Sequence, residues 1–313
     1  MPASLPAASQ GASAPYIGRF APTPSGPLHF GSLLAALASY LDAQQHQGTW
    51  LIRLEDLDLP RNQPGAAAQI LDTLAAFGLQ SQGPVWVQSE RQTLYLAQIQ
   101  TLIDQRLAYY CDCSRRDLAP YHGIYPGTCR ERNLPPAAEH AVRVRTDSRS
   151  TRHSTYRFID RLQGPFSQHL ESAVGDFVIR RRDGIVAYQL AVVMDDIAQG
   201  VTNVVRGADL LDSTARQLHL YHLLGAHPPG YLHTPLVVRQ QGEKLSKRLG
   251  SKALDPALAS ATLYQALAAL YQAPPATLRN AAPAEQLAWA VAHWDPLRLP
   301  ATRELLQQHL PVG

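Results

Sequence analysis

Hydrophobic residues in the first third of the chain form short β-like runs separated by stretches of helical spacing. Residues 16–20 and 49–54 are compact apolar runs typical of buried strands, and residues 28–43 repeat leucine and alanine at helical intervals. Further helical patterns cover about 64–77 and 91–107. Because strands and helices alternate, the pattern predicts a parallel α/β sheet.

This alternation is interrupted between about residues 109 and 172. Cysteine, proline and arginine accumulate there, together with short β-like runs such as 142–144 and 156–159. From Asp176 the alternation returns. The sequence therefore predicts an insertion that divides one α/β domain into two halves.

The second half combines an apolar segment at 188–197, a strand at 201–206, a helix at 209–224 and a strand at 236–238. Beyond Asp255, alanine and leucine predict helix to the end of the sequence. We divide the chain into a disordered tail (1–15), the two halves of a Rossmann-like α/β domain (16–110 and 176–255), an insertion (111–175) and a small helical C-terminal domain (256–313).

The composition indicates an ordinary globular protein but does not identify the chemistry that it performs. The chain has 313 residues, of which 45% are hydrophobic and 17% charged, as in ordinary globular proteins. The N-terminal segment lacks the cationic start and apolar run of a secretion signal, and no stretch approaches the roughly 20 apolar residues of a membrane span. We expect a cytoplasmic protein without membrane contact.

Charge is distributed unevenly along the chain. The net charge of +3 is too small to identify a nucleic-acid-binding protein, and the arginines of the insertion fit either phosphate contacts or a solvated basic face. They are Arg130, Arg132, Arg143, Arg145, Arg149, Arg152 and Arg157. Of the 28 lysines and arginines only three are lysines, and all three lie between residues 244 and 252. That segment is therefore expected to need a compact, mobile ammonium.

All three cysteines, Cys111, Cys113 and Cys129, lie in the insertion. An odd, clustered set fits a disulfide framework poorly, whereas three thiolates form most of a tetrahedral zinc site. Two nearby residues could complete it. They are His122, which general coordination chemistry favours, and Tyr125.

The first motif that could bind a substrate or take part in catalysis spans residues 22–32, where a strand passes through a proline-rich loop into a helix. The N-terminus of a helix suits a polyphosphate, His29 could donate a hydrogen bond to a phosphate oxygen, and Gly31 allows close approach. A proline-rich turn with a histidine at the helix start is the structural alternative. The chain has no G-x-x-x-x-G-K-[ST] motif, which disfavours a P-loop ATPase.

The second motif is Glu243-Lys244-Leu-Ser-Lys247-Arg248, on a loop that follows a predicted strand. Its cations could neutralise the charge that builds up on phosphates when pyrophosphate departs, and mobile loops often deliver such groups. An exposed charged loop is the alternative.

Taken together and in this order, the two motifs resemble the HIGH and KMSKS signatures of class I aminoacyl-tRNA synthetases. Here they read His29-Phe-Gly31-Ser32 and Lys244-Leu-Ser-Lys247-Arg248, with serine in the fourth position of the first, as is common in the glutamate branch. The resemblance implies ATP binding by His29, Gly31, Ser32 and Lys247 and catalytic roles for His29, Lys244 and Lys247.

Residues 19–26 and 54–61 look like the corresponding segments of glutamyl-tRNA synthetases. Glutamate requires cations for two carboxylates and an acidic group for its ammonium. The resemblance implies Arg19 and Arg206 for the first role, Glu55 for the second, and Tyr188, Ala21 and Thr23 as the rest of the pocket. Alternatively, Arg19 and Glu55 pair with each other and Tyr188 is a core aromatic. The functional interpretation is favoured because these residues fall at strand ends and turns.

From about Tyr16 to Asp255, including 187–196 and 205–213, the chain resembles glutamyl-queuosine tRNA(Asp) synthetases, short relatives of glutamyl-tRNA synthetases. Thr23 stands where these often have serine. The resemblance implies activation of L-glutamate without tRNA, ATP with Mg²⁺ as substrate, Tyr125 as fourth zinc ligand, and transfer to queuosine in the anticodon loop of tRNA(Asp). We expect a monomer.

About sixty residues follow Asp255, and we expect them to be too few for the anticodon-binding region of a full glutamyl-tRNA synthetase. The acceptor would then be recognised by other contacts. Three alternatives remain. They are a minimal glutamyl-tRNA synthetase that charges the 3′-terminal ribose, a nucleotidyltransferase, and a non-catalytic tRNA-binding relative.

Overall fold

The structure is a computed structural model that describes residues 15–147, 149–151, 154–238, 253–306, 308 and 310. Within these ranges the strands are β1 Ile17–Phe20, β2 Thr49–Leu54, β3 Trp86–Val87, β4 Ala108–Cys111, β5 Ala141–Val144, β6 Thr155–Asp160, β7 Gly164–His169, β8 Val178–Arg180, β9 Asn203–Gly207, β10 Gly230–Thr234, β11 Leu236–Val238 and β12 Glu304–Leu306. The helices are α1 Phe30–Gln45, α2 Ala66–Ala76, α3 Gln92–Asp104, α4 Arg115–Leu118, α5 Leu170–Ala173, α6 Tyr188–Ala198, α7 Thr214–Leu223, α8 Ala259–Ala269 and α9 Pro283–His293.

Parallel strands form the centre of the fold, which confirms the predicted α/β arrangement. β1 pairs with β2 and β2 with β3, while β9 pairs with β10, all in parallel. The Thr202 N–H, just before β9, donates to the Ile17 carbonyl at 2.9 Å, so the second ladder lies beside β1. The carboxyl ends of β1, β2 and β9 therefore meet at one edge, where open α/β sheets bind ligands.

The insertion contains an antiparallel sheet, in the order β4-β5-β8, and the hairpin β6-β7. The outer strands of that sheet lie just before and after the expected limits of 111–175. Val142 and Ile179 of this sheet share a buried core with Tyr95 of α3 and Leu190 of α6. The insertion is thus packed onto the helices of the α/β domain.

Helices α8 and α9 pack against α1 through one apolar core, to which Leu263, Leu287 and Trp294 contribute. A buried carboxylate joins the same regions. Asp42 of α1 accepts hydrogen bonds from the Trp294 indole at 3.0 Å and from Arg161 Nη2 of the insertion at 3.0 Å. One side chain of α1 therefore links the insertion to the C-terminal helices.

The expectation of helix to the end of the sequence is wrong at β12. Glu304–Leu306 forms a parallel ladder with β11, with Leu236 opposite Glu304. A three-residue segment carries no readable periodicity, and its conformation is set by the strand edge that it meets. None of the helices that the structure describes has the length and hydrophobicity needed to cross a bilayer.

Candidate active site

The proline-rich loop after β1 is fastened to the segment that follows β2. The Glu55 N–H donates to the Pro22 carbonyl at 3.0 Å, and the Gln63 N–H donates to the Pro24 carbonyl at 3.0 Å. Both carbonyls of the loop are thus paired with N–H donors from the segment after β2. The loop is therefore held open over the carboxyl ends of the strands.

A cavity of about 650 Å³ opens at this edge of the sheet. It is lined by all six residues predicted to bind glutamate, namely Arg19, Ala21, Thr23, Glu55, Tyr188 and Arg206. They come from β1 and its loop, the end of β2, the start of α6 and the end of β9. Residues far apart in the sequence thus converge on one space.

Arg19 is held by a buried carboxylate opposite it. Its Nε lies 3.1 Å and its Nη2 3.4 Å from the two oxygens of Asp196, and both side chains are at most 5% exposed. Burial alone would raise the pKa of Asp196, but the charges of Arg19 and Arg53 outweigh it and leave that pKa below its usual value. Asp196 is therefore ionised and fixes Arg19 at the cavity wall.

Glu55 is placed by Arg53 rather than by Arg19. Arg53 Nη2 lies 3.3 Å from Glu55 and 2.8 Å from Asp196, and its side chain is fully buried. The alternative of a direct Arg19–Glu55 pair does not occur in this arrangement. Burial raises the pKa of Glu55, an effect that Arg53 and Arg19 only partly offset. A buried carboxylate with a raised pKa gains from a further cation, such as a substrate ammonium.

Arg206 projects from β9 into the other side of the same cavity. Its Nε donates to His233 Nε2 at 3.0 Å and its Nη2 donates to Thr214 Oγ1 at 2.9 Å, while Tyr231 lies beneath the guanidinium at 5.3 Å. Among the described residues Arg206 forms no ion pair with a carboxylate. It is therefore a cation whose charge is available to a ligand.

A second space of about 210 Å³ lies at the N-terminus of α1 and is lined by His29, Gly31 and Ser32. His29 caps the helix, since its Nδ1 accepts from the Ser32 N–H at 3.3 Å. Partial burial lowers the pKa of His29, so the ring is neutral at neutral pH. With Nδ1 accepting, its proton lies on Nε2, which is a donor for an anion at the helix terminus.

The two spaces share a wall. Ala35, Gly207 and Asp209 line both of them. A β-carbon on Gly207 would lie 2.7 Å from an Asp209 carboxylate oxygen, so no larger residue fits there without rearrangement. Ligands in the two spaces would consequently be separated by very little protein.

Lys244 and Lys247 lie outside the described residues, as does the rest of their motif. The strand that leads to this segment is described. Leu236 and Val237 of β11 line the second space beside His29. The last strand described before the lysine motif thus lies next to the helix terminus that was predicted to bind phosphate.

The three cysteines are brought together, and Tyr125 is with them. Their sulfur atoms lie within 4.8 Å of one another, and the Tyr125 hydroxyl is 3.4 Å from Cys111 Sγ and 3.6 Å from Cys113 Sγ. A tetrahedral zinc site with Zn–S of about 2.3 Å and Zn–O of about 2.0 Å needs sulfur–oxygen separations of about 3.5 Å. The donor set fits a zinc ion.

His122, the other candidate ligand, does not belong to this group. It is exposed and follows a short 3₁₀ turn with φ of +48°, whereas Tyr125 is 4% exposed. The Arg143 guanidinium stacks on the Tyr125 ring at 3.8 Å and donates to Cys111 Sγ at 3.3 Å. The structure therefore favours Tyr125 as the fourth ligand.

Most of the seven arginines of the insertion named above form ion pairs or hydrogen bonds within the protein. Arg130 is bidentate on buried Asp176 at 2.6 and 2.8 Å, and Arg132 is bidentate on Asp112 at 2.6 and 2.9 Å. Both Arg145 and Arg149 contact Glu131. These pairs support the insertion and the cysteine cluster. Arg157 is exposed, and Arg152 lies outside the described residues.

Sequence reasoning missed the side chains that hold the predicted site residues in place. Arg53 interrupts an otherwise apolar strand, and Asp195 and Asp196 interrupt an apolar helix. A charge within a buried element needs a partner, so these interruptions were a readable signal of an ion-pair network. His233 gave no such signal.

Residues 17–268 match the family described as tRNA synthetases class I (E and Q), catalytic domain. A glutamyl-Q tRNA(Asp) synthetase from Ectopseudomonas mendocina is 56% identical over 94% of this chain and 98% of its own length. One from Pseudomonas aeruginosa is 53% identical over 94% of this chain and 99% of its own length.

Two solved structures have a similar fold. A glutamate tRNA ligase from Elizabethkingia meningosepticum, in complex with its amino acid, has a TM-score of 0.75 at 23% identity. A glutamate-tRNA synthetase from Elizabethkingia anophelis has a TM-score of 0.74 at 24% identity. The similarity covers 92% of this chain but only 66% and 67% of those chains.

Proposed function

The chain belongs to the class I tRNA synthetases for glutamate and glutamine and has their α/β catalytic fold, and we propose that it activates L-glutamate with ATP and transfers the glutamyl group to queuosine in the anticodon of tRNA(Asp). The names of its relatives support the acceptor. One observation carries the activation step, namely that a cavity with two buried arginines and a glutamate adjoins the histidine-capped terminus of α1.

The larger cavity suits the charges of glutamate. Arg19 and Arg206 would receive its two carboxylates, and Glu55 would receive its ammonium, as charge-assisted hydrogen bonds. Tyr188 and the backbone of Ala21 and Thr23 would complete the pocket. Because these arginines are at most 5% exposed, a ligand carboxylate would be bound largely out of water, where such contacts are strongest.

ATP would lie in the smaller space, with Mg²⁺ accompanying its phosphates. His29 would donate from Nε2 to a phosphate oxygen, and Gly31 and Ser32 would line the approach. In the first step a glutamate carboxylate oxygen attacks the α-phosphorus and the bond to pyrophosphate breaks. Lys244 and Lys247 would stabilise the charge on the departing pyrophosphate. The thin wall at Ala35 and Gly207 is compatible with contact between the two substrates.

In the second step a hydroxyl of the acceptor attacks the activated carbonyl carbon, an ester forms, AMP leaves and the hydroxyl proton is released. Queuosine carries a cyclopentene ring with two adjacent hydroxyls that resemble the vicinal diol of a terminal ribose. RNA loops present unstacked bases, which favours recognition of such a nucleoside. We propose that the reaction takes place in the cytoplasm, where ATP and tRNA are found, and that the protein acts as a monomer.

We further propose one structural zinc ion, bound by Cys111, Cys113, Tyr125 and Cys129. The ion would supply a fixed tetrahedral junction and no chemistry of the reaction, since the cluster is distinct from the residues that line the two substrate spaces. Two arginines would offset part of the negative charge of the thiolates, because Arg143 donates to Cys111 Sγ and Arg132 donates to Cys129 Sγ.

The acceptor is tested with labelled glutamate, ATP and tRNA(Asp) from cells that make queuosine or from cells that cannot. We expect label only on the first. Equal labelling of both, or label released with the 3′-terminal adenosine after nuclease digestion, would instead support a minimal glutamyl-tRNA synthetase.

Activation is tested separately by glutamate-dependent exchange between ATP and pyrophosphate without tRNA. We expect exchange with glutamate alone. Exchange that ignores glutamate would support a nucleotidyltransferase, and the absence of any exchange would support a non-catalytic tRNA-binding relative.

A further inference from the structure

Arg206 is held in its position by an imidazole that is itself held by a carboxylate. Arg206 Nε donates to His233 Nε2 at 3.0 Å, and His233 Nδ1 lies 2.6 Å from Asp160 Oδ2. All three side chains are at most 5% exposed. Asp160 ends β6 of the insertion, so this chain of contacts runs from the insertion through β10 to the amino-acid cavity on β9.

The contacts fix the tautomer of His233. A guanidinium Nε carries a proton and can only donate, so His233 Nε2 must accept. The single proton of the neutral ring is then on Nδ1, where it is donated to Asp160. Thr214, which also lies 3.4 Å from His233 Nε2, can rotate its hydroxyl and adds no conflicting requirement.

An imidazole between the two charges leaves Arg206 different from Arg19. Arg19 contacts Asp196 directly, and much of its charge is compensated. Arg206 is separated from Asp160 by the width of a ring, and attraction between charges falls with distance. Arg206 thus donates an oriented hydrogen bond to a neutral ring and has no neutralising carboxylate at contact distance.

We propose that Asp160 and His233 are positioning residues, which hold the Arg206 guanidinium towards a carboxylate of bound glutamate while leaving its charge uncompensated. This inference rests on the proposed function for its ligand. The tautomer itself follows from the contacts and does not depend on that ligand.

The two oxygens of Asp160 have separate partners, which provides a sharp test. Oδ1 accepts from the N–H groups of Leu162, Gln163 and His233 at 3.0, 2.9 and 3.2 Å, whereas the His233 ring is the one hydrogen-bond partner of Oδ2 among the described residues. Asp160→Asn would keep its carbonyl oxygen on the three N–H groups. Its amide would then donate to Nδ1, and the ring proton would move to Nε2, where it opposes the Arg206 N–H.

The first measurement is the exchange of pyrophosphate with ATP at varied glutamate and varied ATP. Asp160→Asn should raise the KM for glutamate roughly 10-fold or more, because a charged group loses its orienting partner. The KM for ATP should change less than about twofold, since residues other than Asp160, His233 and Arg206 line the space proposed for ATP. A structural defect alone would not separate the two constants in this way.

Gln163→Ala is the matched control. Gln163 lies in the same turn and donates to the carbonyls of His233 and Thr302, both at 2.9 Å, without touching the ring. It should loosen the turn and leave the KM for glutamate near that of the wild type. A similar rise in both variants would refute the proposal and assign the effect to the turn.

The second measurement is ¹⁵N NMR of histidine-labelled protein, which reads the tautomer without any activity. Wild type should show His233 protonated at Nδ1, and Asp160→Asn should show it protonated at Nε2. A wild-type ring protonated at Nε2 would overturn the proposal even if Asp160→Asn fails to fold. Wild-type protein with the Nδ1 tautomer but no glutamate-dependent exchange would instead overturn the proposed function.

Discussion

Gly31→Ala should damage the use of ATP while sparing the fold. A β-carbon at this position would lie 3.1 Å from His29 Cε1 and 3.2 Å from His29 Nδ1. These distances are closer than ordinary contact, so the ring must shift by a few tenths of an ångström. The shift would disturb the hydrogen bond from the Ser32 N–H to Nδ1, which now orients Nε2 towards the space at the helix terminus.

Two effects of opposite sign decide the outcome. Alanine is favoured over glycine in a helix by up to about 1 kcal/mol, which would stabilise α1. Overpacking against His29 costs roughly 1–3 kcal/mol where the ring cannot yield. Because His29 is only partly buried, it can move, and overall stability should change little. The displaced His29 ring would instead bind ATP less well, and a loss of about 1–3 kcal/mol there corresponds to a KM for ATP roughly 5- to 150-fold higher.

The assay is ATP–pyrophosphate exchange at varied ATP, together with thermal unfolding. Gly65→Ala is the control. Nothing lies within 4 Å of its added β-carbon, but its φ of +78° disfavours alanine. It should lower stability and leave the KM for ATP unchanged, the reverse of Gly31→Ala. An unchanged KM for ATP in Gly31→Ala would refute the placement of ATP beside His29.

Three further expectations concern the lysine motif, the cysteine cluster and the carboxylate of α1. Lys247→Ala should lower glutamate-dependent exchange roughly 10²-fold or more, and little change would exclude the loop from the chemistry. Metal analysis should find about one zinc per chain, and Cys113→Ser should reduce stability and transfer to RNA more than exchange; metal-free protein that stays folded and active would contradict this. Asp42→Asn should cost about 2 kcal/mol of unfolding free energy at pH 7, because Arg161 loses its partner. Burial raises the pKa of Asp42, but its hydrogen bonds with Arg161 outweigh this and keep that pKa low, so the difference between wild type and variant should shrink below about pH 4 in denaturant titrations.

Local patterns predicted the parts of the fold whose conformation is decided locally. The strand at 49–54 was found because it is a compact apolar run, and the helical patterns around α2, α3 and α7 were found because their apolar residues repeat at helical spacing. β3 and β12 were not predicted, because β3 is a two-residue segment between two predicted helices and β12 lies in a stretch whose alanine and leucine content predicted helix. Their pairing partners lie elsewhere in the chain and determine their structure.

The candidate site divides in the same way. The cysteine cluster lies within a short stretch of sequence and could be predicted from it, and the expectation of Tyr125 agrees with its position beside the three sulfur atoms. Asp196 of α6 and His233 of β10, by contrast, meet Arg19 and Arg206 only because elements distant in the sequence are neighbours in the fold. No spacing rule links such residues in one sequence, so the side chains that orient the two arginines required the structure.

The ladder between β11 and β12 bears on the order in which the parts of this protein fold. The two strands enclose residues 239–303, and a pairing across so long a segment must overcome a loop-closure entropy before it contributes any stability. The amino-acid cavity is lined by residues up to 210, and the side chains that hold its Arg206 extend only to His233, so it needs no part of β12. During folding the glutamate cavity would therefore form first, and β11, the strand that precedes the lysine motif in the sequence, would be anchored later. The ability to use ATP would then be the last property that the protein acquires during folding.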